Sequence, residues 1–284
     1  MNINWFPGHM AKTERLIKEN LKLVDIVIEV IDARIPHSSK NPLIDEVLNN
    51  KPRLLVFNKS DMADDNVTSG WIEHYKKMGI KVVKTNSIDG KGVNNVISGI
   101  NEVLKEKIDK YKENNMNFVI KMMVVGIPNV GKSTFINKLT KSSGARTGDR
   151  PGITKGKQWI RVAKGYELLD TPGILWHKFD DEKIGEKLAF TGAIRDEIID
   201  NEELCFNFIN FIRKDYSENI KERYGVDFSS DTESYEIIEL IGKKRGFVIK
   251  GGETDTLRTS NMIIDEFRSL KLGKISLEKC DETY

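Results

Sequence analysis

The chain has 284 residues, 39% of them hydrophobic and 31% charged, which is enough for two domains with buried cores. Glu29 and Lys121 interrupt the best apolar runs, excluding a bilayer-spanning helix, and Met1 to Met10 carries a Trp-Phe-Pro-Gly turn where a secretory signal needs an apolar core. The net charge of +2 conceals a division, with a balance of +9 before Trp176 and −7 from Trp176 onward.

Cys205 and Cys280 are isolated and form no metal or redox spacing, so a reducing, cytoplasmic setting is expected. The first predicted helix starts near His9 and carries Leu16, Ile17 and Leu21 on one face. The run from Val24 to Ile31 reads as a buried strand leading into Asp32-Ala33-Arg34-Ile35-Pro36. A short helix over about Asn41 to Asn49 accommodates Pro42 in its first turn.

The run from Arg53 to Phe57 reads as a strand that ends in Asn58-Lys59-Ser60-Asp61, an N-K-x-D motif. Taken alone this is a good polar turn. It also suits guanine recognition: the Asp61 carboxylate can accept from both the ring N–H and the exocyclic amine of guanine, a donor pair that adenine lacks. Asn58 and Lys59 would brace the base and the neighbouring loop. A helix over about Val67 to Met78 and a strand from Ile80 to Thr85 follow. Asn86-Ser87 at that strand end is either a plain turn or a contact to the guanine carbonyl. One helix is predicted from about Val93 to Tyr111, then a polar connector from Lys112 to Asn117.

The strand from Phe118 to Val125 ends in Gly126-Ile127-Pro128-Asn129-Val130-Gly131-Lys132-Ser133-Thr134, which matches the phosphate-binding loop G-x-x-x-x-G-K-[ST]. Backbone N–H groups of Asn129, Val130, Gly131, Lys132, Ser133 and Thr134 would converge on a triphosphate at a helix N-terminus. Lys132 would reach the β- and γ-phosphates and Ser133 would offer its hydroxyl to Mg²⁺. Thr154, 21 residues past Ser133, falls where a switch threonine would bind Mg²⁺ and sense the γ-phosphate. A hairpin formed by Gln158 to Val162 and Tyr166 to Leu169 runs into Asp170-Thr171-Pro172-Gly173, a D-x-x-G motif in which Asp170 would hold the Mg²⁺ shell and the Gly173 N–H the γ-phosphate. Between the two motifs lie Lys138, Lys141, Arg146, Arg150, Lys155, Lys157, Arg161 and Lys164 against only Asp149 and Glu167. Such a run is a solvated face or a surface for a polyanion such as RNA.

Most GTPases carry the phosphate loop before N-K-x-D; here the order is reversed, so the nucleotide domain is circularly permuted. The new opening follows D-x-x-G and ties that switch to the C-terminal region. That region reads as helical: Ile184, Leu188 and Ile194 share a face, Leu204 to Ile212 is strongly apolar, a helix over Tyr235 to Ile241 ends at Gly242, and a last one spans about Asp255 to Leu270. Lys243, Lys244, Arg245, Lys250, Arg258 and Arg268 offer a basic edge, either a solvated rim or an RNA contact.

The segment from Trp5 to Lys12, the Asp32-to-Pro36 run and the permuted motifs resemble the YlqF-type circularly permuted GTPases. The resemblance covers residues 1–177 motif by motif and is looser beyond. It implies an α/β P-loop GTPase domain over 1–177, with a mostly parallel sheet flanked by helices, and a small all-α RNA-binding domain over 178–284. It implies a Mg²⁺-dependent GTP hydrolase, expected as a monomer away from membranes, acting in late assembly of the large ribosomal subunit with rRNA and ribosomal proteins as partners. A GTP-regulated RNA-binding protein acting outside the ribosome is the alternative. Ile174 stands where many GTPases have the water-positioning glutamine. From the residues alone His9 is a capping histidine; the resemblance gives it the catalytic water. Asn129 resembles the asparagine of K⁺-activated GTPases, and otherwise simply suits a turn.

Overall fold

The computed structural model describes residues 10–48, 51–142, 159–169, 182–194 and 199–281. They fall into two compact units. The first contains the six-stranded sheet, in spatial order β3-β2-β1-β4-β6-β5. Its strands are β1 (Ile26–Asp32), β2 (Arg53–Asn58), β3 (Lys81–Lys84), β4 (Ile120–Val125), β5 (Trp159–Ala163) and β6 (Tyr166–Leu169). All neighbouring pairs are parallel except β5 with β6, the expected hairpin. Every residue of β1 is buried, as a central parallel strand covered on both faces requires. The carboxylate in the middle of it, Glu29, accepts from the Asn41 N–H and from Arg53. Burial raises its pKa, opposed mainly by the charge of Arg53.

On one face α1 (Met10–Leu21) and α2 (Pro42–Leu48) place Ile17, Leu21, Ile44 and Leu48 against Val27, Met123, Val125 and Leu169. The remaining helices of this unit are α3 (Asp65–Lys77), α4 (Asn95–Val103), α5 (Lys105–Glu113) and α6 (Lys132–Ser142). α4 lies close on the sheet: a Cβ on Gly99 would stand 3.0 Å from Val83 and 3.1 Å from Leu54. The single helix expected from Val93 to Tyr111 is two, because Leu104 leaves helical geometry (φ −101°, ψ 17°) and turns its side chain into the core.

The second unit comprises 62–64 and the described residues from 182 to 277. Its helices are α7 (Glu182–Phe190), α8 (Asn201–Ile212), α9 (Ser217–Tyr224), α10 (Ser234–Arg245) and α11 (Thr256–Arg268). Phe208 packs between Phe190 and Phe267, at centroid distances of 5.4 and 4.6 Å. Asp200 caps α8 by accepting from the N–H groups of Glu202 and Glu203. Among the described residues no helix is long and apolar enough to cross a membrane.

Two expectations for this unit are corrected. α10 does not end at Gly242; it runs on to Gly246, which takes φ 70° while Phe247 N–H donates to the Gly242 carbonyl. Gly242 instead allows close packing, since a Cβ there would lie 2.3 Å from Thr254 Cγ2 and 2.7 Å from Thr259 Oγ1. Arg268 does not belong to the exposed basic edge, because its guanidinium donates to the Ala189 and Phe190 carbonyls at the end of α7.

Gly242→Ala should therefore destabilise the protein by about 1–3 kcal/mol through overpacking, despite the better helix propensity of alanine. Denaturant unfolding measures this; an unchanged midpoint would show that the two threonines move aside freely.

Candidate functional site

The predicted nucleotide loops follow the carboxyl ends of parallel strands, where α/β sheets bind ligands. β4 leads into Gly126, at φ 149°, where a Cβ would sit 2.3 Å from the Val30 carbonyl of β1. Asn129 takes φ 60° and is exposed. Gly131 takes φ 91°, and a Cβ there would come within 2.4 Å of Asn58 Nδ2. Both glycines are thus required by close approach as well as by backbone conformation. α6 begins at Lys132, with Phe135 and Leu139 buried beneath it and Ser133 and Thr134 exposed on its first turn.

Asn58 joins the two motifs. Its Nδ2 donates to the Val130 carbonyl at 2.7 Å, and its Oδ1 accepts from Ser87 Oγ (2.6 Å), Ser87 N (3.1 Å) and Thr85 Oγ1 (3.2 Å). Asn58, Ser87, Val130 and Gly131 therefore form one cluster. Asn86 shapes the adjoining turn, its Oδ1 accepting from the Ile88 and Asp89 N–H groups. Asp61 is half-buried, and among the described residues no side chain pairs with its carboxylate.

Lys59 takes φ 56°, unusual for a side chain of its size. Its ammonium lies 3.0 Å from Asp32 Oδ2. Asp32, 2% exposed, also receives a two-pronged bond from Arg34 at 2.9 and 2.7 Å. Burial alone would raise the Asp32 pKa, but Arg34 and Lys59 outweigh it and hold the carboxyl well below the usual range. The Asp32-Ala33-Arg34 segment is thus the support of Lys59. Its sequence signal was a pair of opposite charges directly after a wholly apolar strand end.

Lys132 points its ammonium back at its own loop, donating to the Ile127 carbonyl at 2.5 Å. Burial pulls its pKa down to about 8. A triphosphate would supply the missing countercharge. The glycine cradle, the helix N-terminus, the desolvated lysine and the exposed Ser133 hydroxyl all fit a magnesium-bound nucleoside triphosphate. His9, Thr154, Asp170 and Gly173, with Arg146, Arg150, Lys155 and Lys157 of the basic run between the motifs, lie outside the described residues. A groove of about 930 Å³ opens at the amino end of β2 and β3, lined by residues including Asp45, Lys51, Arg53 and Glu102; no motif residue lines it.

The chain matches the family model of the RsgA GTPase over residues 10–180 and that of the 50S ribosome-binding GTPase over residues 121–243. Ribosome biogenesis GTPase A of Bacillus pumilus is 48% identical over 98% of this chain and 99% of its own. The protein of the same name from Thermotoga maritima is 31% identical over 99% of this chain and 95% of its own. Among solved structures, GDP-bound TM YlqF aligns with a TM-score of 0.69 at 29% identity, covering 94% of this chain and all of that one. GNP-bound YlqF from T. maritima gives 0.66 at 30% identity over 96% of this chain and all of its own.

Two outcomes follow from the cluster. Asn58→Ala strands the Val130 carbonyl and the Ser87 hydroxyl and should weaken guanine-nucleotide binding at least about tenfold, read by titration calorimetry. Lys132 must be protonated to hold phosphate. Nucleotide affinity should therefore be level near pH 7 and fall as pH rises through about 8, approaching tenfold per pH unit above it. A flat profile to pH 9.5 would contradict this.

Proposed function

The chain belongs to the family of circularly permuted GTPases that includes ribosome biogenesis GTPase A, and on that premise we propose that its GTP cycle serves assembly of the large ribosomal subunit in the cytoplasm. The observation that carries the switch half of this reading is the Asn58 bridge, which fixes a guanine-reading loop to a phosphate loop. The ribosomal half is supported by the names of full-length relatives.

In this reading Asp61 accepts from guanine, Lys132 neutralises the β- and γ-phosphates, and Ser133 joins Thr154 and Asp170 around Mg²⁺. Mg²⁺ would supply charge neutralisation at the phosphates. Gly173 would sense the γ-phosphate. Asn129, exposed at the loop crest, would help hold K⁺ in place of an arginine finger. His9 would orient the attacking water, since Ile174 has no group to do so. The protein would bind the pre-subunit in its GTP form and leave after cleavage, with the switch after Asp170 acting on the helical unit. RNA contact by that unit is supported by Lys243, Lys244, Arg245, Lys250 and Arg258, all exposed, with Arg258 stacked 4.1 Å over Phe247.

GTP turnover with and without purified large subunits, in K⁺ and then in Na⁺, tests the whole reading. Stimulation by subunits that is lost in Na⁺ is expected. Turnover indifferent to subunits in both salts would move the partner to an RNA outside the ribosome.

A further inference from the structure

We propose that Glu278, far from every nucleotide motif in the chain, is a positioning residue for guanine recognition, acting through residues 37–39 and Asp32 on the Asn58–Asp61 loop. The inference rests on Asp61 reading guanine.

Residues 278–281 belong to the nucleotide unit, although the chain reaches them from the helical one. Glu278 is 1% exposed. Its carboxylate accepts from the His37 N–H at 2.7 Å, the Ser38 N–H at 3.1 Å and the Ser38 hydroxyl. Its carbonyl accepts from Trp71 Nε1 at 2.9 Å. Trp71 stacks on Tyr75, whose ring also meets Phe57 of β2 edge-on. A buried carboxylate with its acceptor sites filled by backbone N–H groups fixes the backbone that supplies them.

That backbone leads directly to Asp32. Ser39 Oγ accepts from the Asp32 N–H at 3.0 Å and donates to the Ile35 carbonyl at 2.6 Å. Ile35 N–H in turn donates to the Asp32 carbonyl at 3.0 Å. Ser38 and Ser39 are both buried, so this turn has little water to replace a lost bond. Asp32 then holds Lys59 at 3.0 Å, and Lys59 sits at φ 56° between Asn58 and Asp61. A residue in that conformation keeps it only while its surroundings enforce it. Loosening the 37–39 turn would release Asp32, let Lys59 relax, and cost Asp61 its aim.

The residues just after Asp61 point the same way. Met62–Asp64 belongs to the helical unit, where the Met62 carbonyl accepts from the Ile275 N–H at 3.1 Å and Asp64 N–H donates to Ser276 Oγ at 3.0 Å. Ile275 and Ser276 thus hold residues 62–64 within the helical unit, and Glu278 holds the turn behind Asp32 within the nucleotide unit.

The test compares GDP with inosine diphosphate, which lacks the exocyclic amine that Asp61 would bind. Dissociation constants are measured for the full-length protein, Glu278→Gln and Ser38→Ala, with melting curves to establish that each variant is folded. The unaltered protein should prefer GDP; equal affinities there would remove the Asp61 reading and the inference with it. In the variants GDP affinity should fall by about tenfold, the loss of one charge-assisted bond, while inosine diphosphate loses less, so the preference narrows. An unchanged preference in the folded variants, whether both affinities hold or both fall by the same factor, would overturn the role of Glu278. Should Glu278→Gln fail to fold, Ser38→Ala, which removes one donor from the same carboxylate, decides alone.

Discussion

The nucleotide site depends on one amide. Asn58 ends β2, and the phosphate loop follows β4, yet β1 lies between those strands. The side chain must therefore span the end of β1 to reach the Val130 carbonyl. It does so while its oxygen takes up Ser87 and Thr85. Both ends of a buried amide are then used, the arrangement that low dielectric rewards and a half-filled one would penalise. The backbone has been shaped to permit it. Gly131 lacks the Cβ that would strike Asn58, and Gly126 lacks the one that would strike β1.

A second constraint lies beneath the first. Asp32, Arg34 and Lys59 place one carboxylate between two cations at the end of β1, with Arg34 1% exposed. Burying charges in this way is costly, and an apolar substitute could be as stable. What the ionic group provides is direction. A two-pronged guanidinium orients the Asp32 carboxylate, and the oriented carboxylate locates the lysine two residues before Asp61, the aspartate proposed to read the base. The support is rigid where the ligand needs rigidity, which suits loops that must present hydrogen-bond partners before the ligand arrives.

The strands and the loops that follow them at Asn58 and Gly126 were legible in the sequence because their signals are local. Apolar runs such as Arg53 to Phe57 end in glycine-rich or polar turns, and the strand-loop-helix order around Gly126 to Thr134 needs no distant partner. What escaped the sequence depends on groups remote in the chain. Gly242 resembles a helix terminator, and only Thr254 and Thr259 against it reveal a packing role. Arg268 resembles surface charge until the carbonyls of Ala189 and Phe190 are placed beside it. Leu104 breaks a helix whose periodicity continues past it, because the core claims its side chain. Asp32 and Arg34 stood out as a motif, but their hold on Lys59 crosses from one strand end to another. Glu278 has no local signal, since its partners lie about 240 residues away.

The permuted order gives this architecture a mechanical character. In space the sheet reads β3-β2-β1 and then β4-β6-β5, so the strands before the polar connector from Lys112 to Asn117 form one half and those after it the other. The halves meet along the single strand pair β1–β4, over four residue pairs from Ile26–Met122 to Glu29–Val125. Beyond that pair they are joined by side chains such as Asn58 to Val130 and Lys138 to the Ile88 carbonyl. The loops proposed to read the base belong to the first half and the phosphate loop to the second. A nucleotide held by both would therefore act as a further tie across the seam, stabilising the folded form in proportion to its concentration over its dissociation constant. Hydrolysis weakens that tie at its phosphate end while leaving the base end engaged. A chain cut at this point would thus direct the effect of the γ-phosphate to the half whose sequence runs on into the helical unit, as the proposed function requires.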